Sequence, residues 1–281
     1  MKLVRFGQPG EEKPGLVDAS GAIRDLSGAV GDIDGAFLAK GLAQVAGLDV
    51  ELLPKVAAGT RLGSPVARVG NFIAVGLNFA DHAAETGAAI PSEPILFNKA
   101  PSCIVGPNDD VTIPKGSKKT DWEVELAIVI GRRACYVHAN EALSYVAGYC
   151  ICNDVSEREY QIERGGQWMK GKSAPTFGPL GPWLVTPDEI PDVQNLSMWL
   201  DVNGEKAQRG STKTMIFDCA KIVSYTSHFM MLQPGDVITT GTPPGVGLGM
   251  KPPRFLKPGD VVTLGIEGLG EQRQSIVPYT A

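Results

Sequence analysis

The chain has 281 residues, 20% charged and 43% hydrophobic, with a formal net charge of -5. That balance excludes a disordered tail and allows a sizeable core, and the lack of a basic cluster argues against nucleic acid as a partner. No stretch approaches the roughly 18 consecutive apolar residues of a transmembrane helix, and MKLVRFGQPGEE turns polar too early for a secretory signal, so a cytoplasmic location with no membrane partner is expected.

In chain order, LVRF and GLVDASGAIRDL read as short antiparallel strands with Ser20-Gly21 as a turn. DIDGAFLAKGLAQVAGLDVELLPKV carries apolar residues at helical spacing as far as Gly59. These elements predict a small N-terminal α/β domain over residues 1–67 and a larger domain over 68–281. Beyond the boundary, NFIAVGLN, ILFNKA, EVELAIVIG, VAGYCICND, LSMWLDVNGEKAQRG, DVITTGTP and DVVTLGIEG read as strands or strand ends. Asn203-Gly204 is the strongest hairpin signal, and PGDVIT and PGDVVT each place a Pro-Gly turn before a β-branched strand. The fold class is therefore α+β, mostly β, with a rolled or barrel-like sheet.

Three helices are expected in this region. GLNFADHAAETG suggests a short one with Asn78 as cap and Gly87 as stop, Ser156 and Glu159 have capping-box spacing, and MIFDCAKIVSY places Ile216, Ala220 and Val223 on one stripe. The five cysteines include no C-x-x-C pair, so neither a disulfide framework nor a zinc cluster is expected, and Cys150 and Cys152 read as buried thiols.

GGQWMKGKS, residues 165 to 173, spells the G-x-x-x-x-G-K-S phosphate loop. Such a loop works between a buried strand and a helix whose first N–H groups face the anion. Here EREYQIERG before it is polar, and APTFGPLGP after it cannot continue a helix. Nucleotide binding is therefore rejected, and Lys172 is left for other chemistry or for none, as a solvated loop lysine.

Carboxylates offer that chemistry. Strand alternation places Glu123 and Glu125 on one face and Val124, Leu126, Ile128 and Ile130 on the other. Taken alone, the E-x-E pair is read first as an edge strand with a solvated face. Asp154 adds a third carboxylate at the end of the strand VAGYCICND, and three such groups held together repel unless a cation lies among them. An all-oxygen set suits Mg²⁺ or Mn²⁺ rather than zinc. His82 and Glu85, three apart on a helical turn, could form an oriented base, although the default reading of H-x-x-E by itself is a surface ion pair.

In this order, VGLNFADHAAE, PILFNKAPS, DWEVELAIVIG, VAGYCICNDVSERE, KGKSAPTFGPLGPW, LDVNGEKAQRGST and TTGTPPGVG resemble the fumarylacetoacetate hydrolase family from about residue 68 onward. The resemblance implies that family's rolled β-sheet and a homodimer. It implies Glu123, Glu125 and Asp154 as ligands of Mg²⁺ or Mn²⁺, His82 and Glu85 as the water-activating pair on a lid segment, and Lys172 as the active-site lysine. Thr242, Arg158 and Gln161 are implied as substrate contacts, and Asp121 is expected to orient Lys172. The N-terminal region, RGGQWMKGK and GLGMKPPRFLKPGD look most like hydrolases of 2,4-diketo-3-deoxy sugar acids such as the rhamnonate compound. The expected reaction is cleavage of the C3–C4 bond of a 2,4-diketo acid to pyruvate and a carboxylic acid. A ureidoglycolate lyase, an isomerase or decarboxylase of a 2-oxo dicarboxylic acid at the same site, and a non-catalytic metal- or ligand-binding protein are the alternatives.

Overall fold

The run VELAIVI forms the central strand Val124–Ile130 in the computed structural model, which describes residues 1–280 apart from the side chain of Thr86. All seven residues are buried, because strands flank this one on both sides and further layers cover its faces. The sheet runs, from edge to edge, Ile23–Asp25, Lys13–Val17, Lys2–Phe6, Gly178–Val185, Val146–Asn153, Val124–Ile130, Val237–Thr239, Phe72–Gly76 and Ile95–Lys99. A second sheet takes the order Glu205–Ser211, Ser197–Val202, Val261–Ile266, Gly270–Pro278 and Val111–Ile113. Leu200 and Leu264 of this sheet share one core with Leu126 and Ile128 of the first. Gln272 ties the layers with polar contacts, its Nε2 donating to the carbonyls of Ile151 and Gly181 at 2.9 Å each. The mostly β, rolled architecture expected from the sequence is observed.

At the N-terminus, Lys2–Phe6, Lys13–Val17 and Ile23–Asp25 form the expected antiparallel set. Lys2–Phe6 also pairs with Gly178–Val185, so this small unit extends the large sheet instead of standing apart from it. Two short helices follow, Gly35–Lys40 and Leu42–Ala46. Asn203 and Gly204 both take positive φ, 55° and 79°, as a two-residue hairpin turn requires, and they join Ser197–Val202 to Glu205–Ser211.

Three helix expectations are corrected here, the first being the N-terminal helical run, which ends at Ala46 and not near Gly59, with one 3₁₀ turn at Val50–Leu52 beyond it. The late helix is Cys219–Phe229, capped by Asp218, so Ile216 precedes it and the buried face begins with Cys219, Ile222 and Val223. Ser156 caps no helix: Ser156–Glu157 is a short strand paired with Thr120–Asp121, and the following turn, Glu159–Glu163, is a single π-helical turn. The Ser156 hydroxyl donates back to the Asp154 carbonyl at 2.9 Å. Cys103, Cys150, Cys152 and Cys219 are buried free thiols, and Cys135 is exposed. No helix among the described residues is long and apolar enough to cross a membrane.

Candidate active site

Strand register assembles the acidic cluster. Val124 pairs with Asn153 and Glu125 with Cys152, and just beyond the pairing the Asp154 N–H donates to the Glu123 carbonyl at 2.9 Å. Glu123 and Asp154 are therefore cross-strand neighbours, and Glu125 lies two residues along the same face. Each of the three offers an oxygen within 4.8 Å of the others, and all three are buried. The next strand closes the far side. Thr239 pairs with Ala127, and the chain then turns at Gly241, whose N–H donates to Glu125 Oε2 at 2.9 Å. Gly241 has a φ of 91°, and a Cβ there would sit 3.0 Å from that of Asn78, so the close approach needs glycine.

Three buried cations border the cluster. Lys172 Nζ donates to Glu123 Oε2 and Asp154 Oδ2, both at 2.7 Å. Arg158 Nη1 lies 2.8 Å from Glu123 Oε1, while its Nε and Nη2 hold Asp121 Oδ2 at 2.8 and 2.7 Å. The third is Lys99, whose Nζ lies 2.6 Å from Asp154 Oδ1 and donates to the carbonyls of Phe177, at 3.0 Å, and Lys172. Lys99 went unrecognised in the sequence. The available signal was a lysine closing the apolar strand ILFNK on the same face as Ile95 and Phe97, where a solvated residue is out of place. Asp121 needs correction: it pairs with Arg158, not Lys172, and its oxygens also accept the N–H groups of Trp122, Gly247 and Leu248 at 2.8, 2.7 and 3.0 Å.

Electrostatics separate the three carboxylates. Burial opposes charge on Glu123, but Lys172 and Arg158 outweigh it and hold its pKa at about 2. Among the described residues no ion pair to Glu125 is formed; burial, then Asp154 and Glu123, push it well above the ordinary carboxylate range. Burial works against a charged Lys99 and a charged Arg158, yet their carboxylate partners raise both overall, so they remain cations. Glu123, Glu125, Asp154 and Asp121, if all ionised, leave one uncompensated negative charge against Lys99, Lys172 and Arg158. A divalent cation together with a monoanionic substrate would balance it. Buried carboxylate oxygens with one member short of a counter-charge fit a hard divalent ion.

The remaining expected residues converge on the same small cavity, about 80 Å³, lined by His82, Arg158, Gln161, Lys172 and Thr242 along with the three carboxylates. His82 is carried by the helix Ala80–Thr86, which ends at Gly87 as expected, with φ 67°. Its Nδ1 lies 3.0 Å from Glu85 Oε2, and Glu85 in turn accepts the Gly245 N–H at 3.1 Å. Asn78 is not the cap of that helix: its side chain donates to the carbonyls of Phe217 and Thr240 and accepts from the Phe217 N–H. Thr242 lines the cavity, but its hydroxyl donates to the Val124 carbonyl at 2.9 Å and accepts from Gln208 Nε2 at 2.8 Å. Gln161 Oε1 accepts from Arg158 Nη1 at 3.0 Å.

The GKS segment has neither flank of a phosphate loop. A π-helical turn precedes it, and Lys172 ends the one-turn helix Met169–Lys172 with its side chain among carboxylates. Gly171 serves packing, since a Cβ there would meet the Glu157 carbonyl at 2.5 Å.

Comparison with known proteins agrees with this geometry. The profile of the fumarylacetoacetate (FAA) hydrolase C-terminal domain matches residues 71–277. A Burkholderia multivorans protein named "Putative hydrolase" is 60% identical over 276 residues, 98% of each chain. A fumarylacetoacetate hydrolase from Exiguobacterium antarcticum superimposes with a TM-score of 0.90 at 38% identity, over 99% of this chain and 100% of its own. A maleylpyruvate hydrolase from Sphingobium sp. SYK-6, solved with manganese(II) and pyruvate, has a TM-score of 0.83 at 28% identity over 100% of both chains.

Proposed function

The chain belongs to the fumarylacetoacetate hydrolase family, and from that premise we propose that it hydrolyses the C3–C4 bond of a 2,4-diketo acid, with a 2,4-diketo-3-deoxy sugar acid as the preferred substrate. The observation that carries this reading is the cavity that Glu123, Glu125 and Asp154 share with His82, whose Nδ1 is held by Glu85. A base held by a carboxylate beside a buried acidic cluster serves a reaction that must activate water. An isomerisation or decarboxylation at the same site has no such need. The manganese and pyruvate held by the maleylpyruvate hydrolase support both the cation and the product class.

Glu123, Glu125 and Asp154 would hold Mg²⁺ or Mn²⁺, which when bound supplies a Lewis acid for the oxygens of a 2-oxo acid. His82, oriented through Nδ1 by Glu85, takes a proton from water as the hydroxyl adds to the C4 carbonyl. The C3–C4 electron pair then leaves with the pyruvate unit, and C3 takes up a proton. Lys172 meets the negative charge that develops on that unit, with Arg158 supplying a second fixed cation. Arg158 is held by Asp121, so its guanidinium is placed before substrate arrives. Thr242 most readily serves by its backbone position, because its hydroxyl is engaged at Val124 and Gln208. The proposal includes a homodimer in the cytoplasm, and sedimentation at the mass of one chain would remove the dimer from it.

The deciding experiment incubates a panel of 2,4-diketo acids with the protein and Mg²⁺, following loss of the diketo absorbance and release of pyruvate. Pyruvate release that a chelator stops and Mg²⁺ restores supports the reading. Consumption of substrate without pyruvate, or turnover indifferent to the chelator, rejects it.

A further inference from the structure

The cavity is chemically mixed. Besides its charged residues it is lined by an apolar group, Val75, Gly76, Leu77, Phe97 and Trp168. Trp168 immediately precedes the one-turn helix Met169–Lys172, so it and Lys172, four residues apart, project to the same side. Both meet Phe97: the indole packs edge-on with ring centroids 5.3 Å apart, and Lys172 Nζ stands 5.5 Å from the phenyl centroid. The indole also rests on Gly76, where a Cβ would come within 2.3 Å of Trp168 Cζ3. No other residue type allows that seat. Leu77, next in the chain, takes a φ of 50°, an unfavourable conformation for leucine that places it in the same lining. On the other side, Gly165 and Gly166 have φ of 82° and 68° and turn the chain back so that Trp168 reaches the cavity.

Resting on the proposed reaction, the chelating end of a 2-oxo acid belongs at the carboxylates, and Val75, Leu77, Phe97 and Trp168 are the apolar side chains lining the same cavity for the rest of the molecule to meet. We propose that Trp168, seated on Gly76 and backed by Phe97, sets the upper size limit of the group carried beyond the reacting carbonyls. Compact groups fit the present lining, whereas a long chain meets the indole. Because Trp168 shares a helical turn with Lys172, the size filter and the active-site cation are positioned by one element.

The test compares wild type with Trp168→Ala and Trp168→Phe, all in Mn²⁺. Calorimetry measures binding of pyruvate and 2-oxooctanoate, two 2-oxo acids without a hydrolysable 2,4-diketo group. Turnover is compared for 2,4-dioxopentanoate and its long-chain homologue. The alanine variant is expected to shift the ratio of dissociation constants at least tenfold toward the long chain, the phenylalanine variant less, with kcat/KM ratios following. An unchanged binding ratio in the alanine variant overturns the size filter. If wild type binds both 2-oxo acids but hydrolyses no diketo acid, the hydrolase reading fails and the filter is judged by the binding ratio alone; wild type that binds neither overturns both. Should the alanine variant not fold, Trp168→Leu replaces it under the same criterion.

Discussion

Lys99 and Asp154 form an ion pair 2.6 Å long in which the two side chains are 0% and 1% exposed. The other oxygen of Asp154 is taken by Lys172, whose own carbonyl accepts from Lys99. One buried ammonium thus holds both a proposed metal ligand and the backbone that presents Lys172. Removing it leaves buried charge uncompensated, which typically destabilises by about 3 kcal/mol or more. Lys99→Met should lower the urea midpoint of unfolding accordingly, and a variant as stable as wild type would show that the pair is dispensable.

Lys172 stands where charge develops in the proposed cleavage. Lys172→Ala should reduce kcat by about 10²-fold or more, with the fold retained by circular dichroism. Near-wild-type turnover would remove the lysine from the mechanism.

Replacing His82 removes the proposed base, so His82→Ala should lower kcat by about 10²- to 10⁴-fold. Glu85→Gln keeps a hydrogen bond but not its charge and should have a smaller effect in the same direction. Equal losses in the two variants would argue for a structural role of the helix Ala80–Thr86, which Glu85 anchors at Gly245.

Glu123 and Glu125 respond to pH with opposite signs. The Glu123 pKa is depressed from 4.5 to about 2, so the stability it contributes is present above 4.5 and lost as pH falls through 2. Glu125 is raised. Its contribution is present below its ordinary value and disappears as pH rises through the folded pKa. A cation needs Glu125 as a carboxylate, so metal uptake in mildly acidic solution should expel a proton. Titration of Mn²⁺ in buffers of different ionisation enthalpy should reveal that release, and Glu125→Gln should abolish it. Heats independent of buffer in the wild type would refute the linkage.

Much of the fold could be read from local patterns. The period-two run VELAIVI, the Asn203-Gly204 turn and the Gly87 stop each act within a few residues, and each takes the expected form. The Ser156 cap failed because its rival, the pairing of Ser156–Glu157 with Thr120–Asp121, comes from residues far back in the chain. The site divides in the same way. Glu123 and Glu125 are neighbours by strand geometry, and Asp154 stands out as an acid ending an apolar strand, but nothing within the strand Ile95–Lys99 names Asp154 as the partner of Lys99.

The amino-acid sequence by itself determined which chemical groups exist and which of them share a strand face or a helical turn, because a backbone of fixed period sets those relations over a few residues. Tertiary structure alone decided that Lys99 belongs with Asp154, that Asp121 holds Arg158 and not Lys172, and that Trp168 lies on Gly76. Those choices depend on how strands far apart in the chain pair and stack, and on where buried charges find partners once water has been excluded.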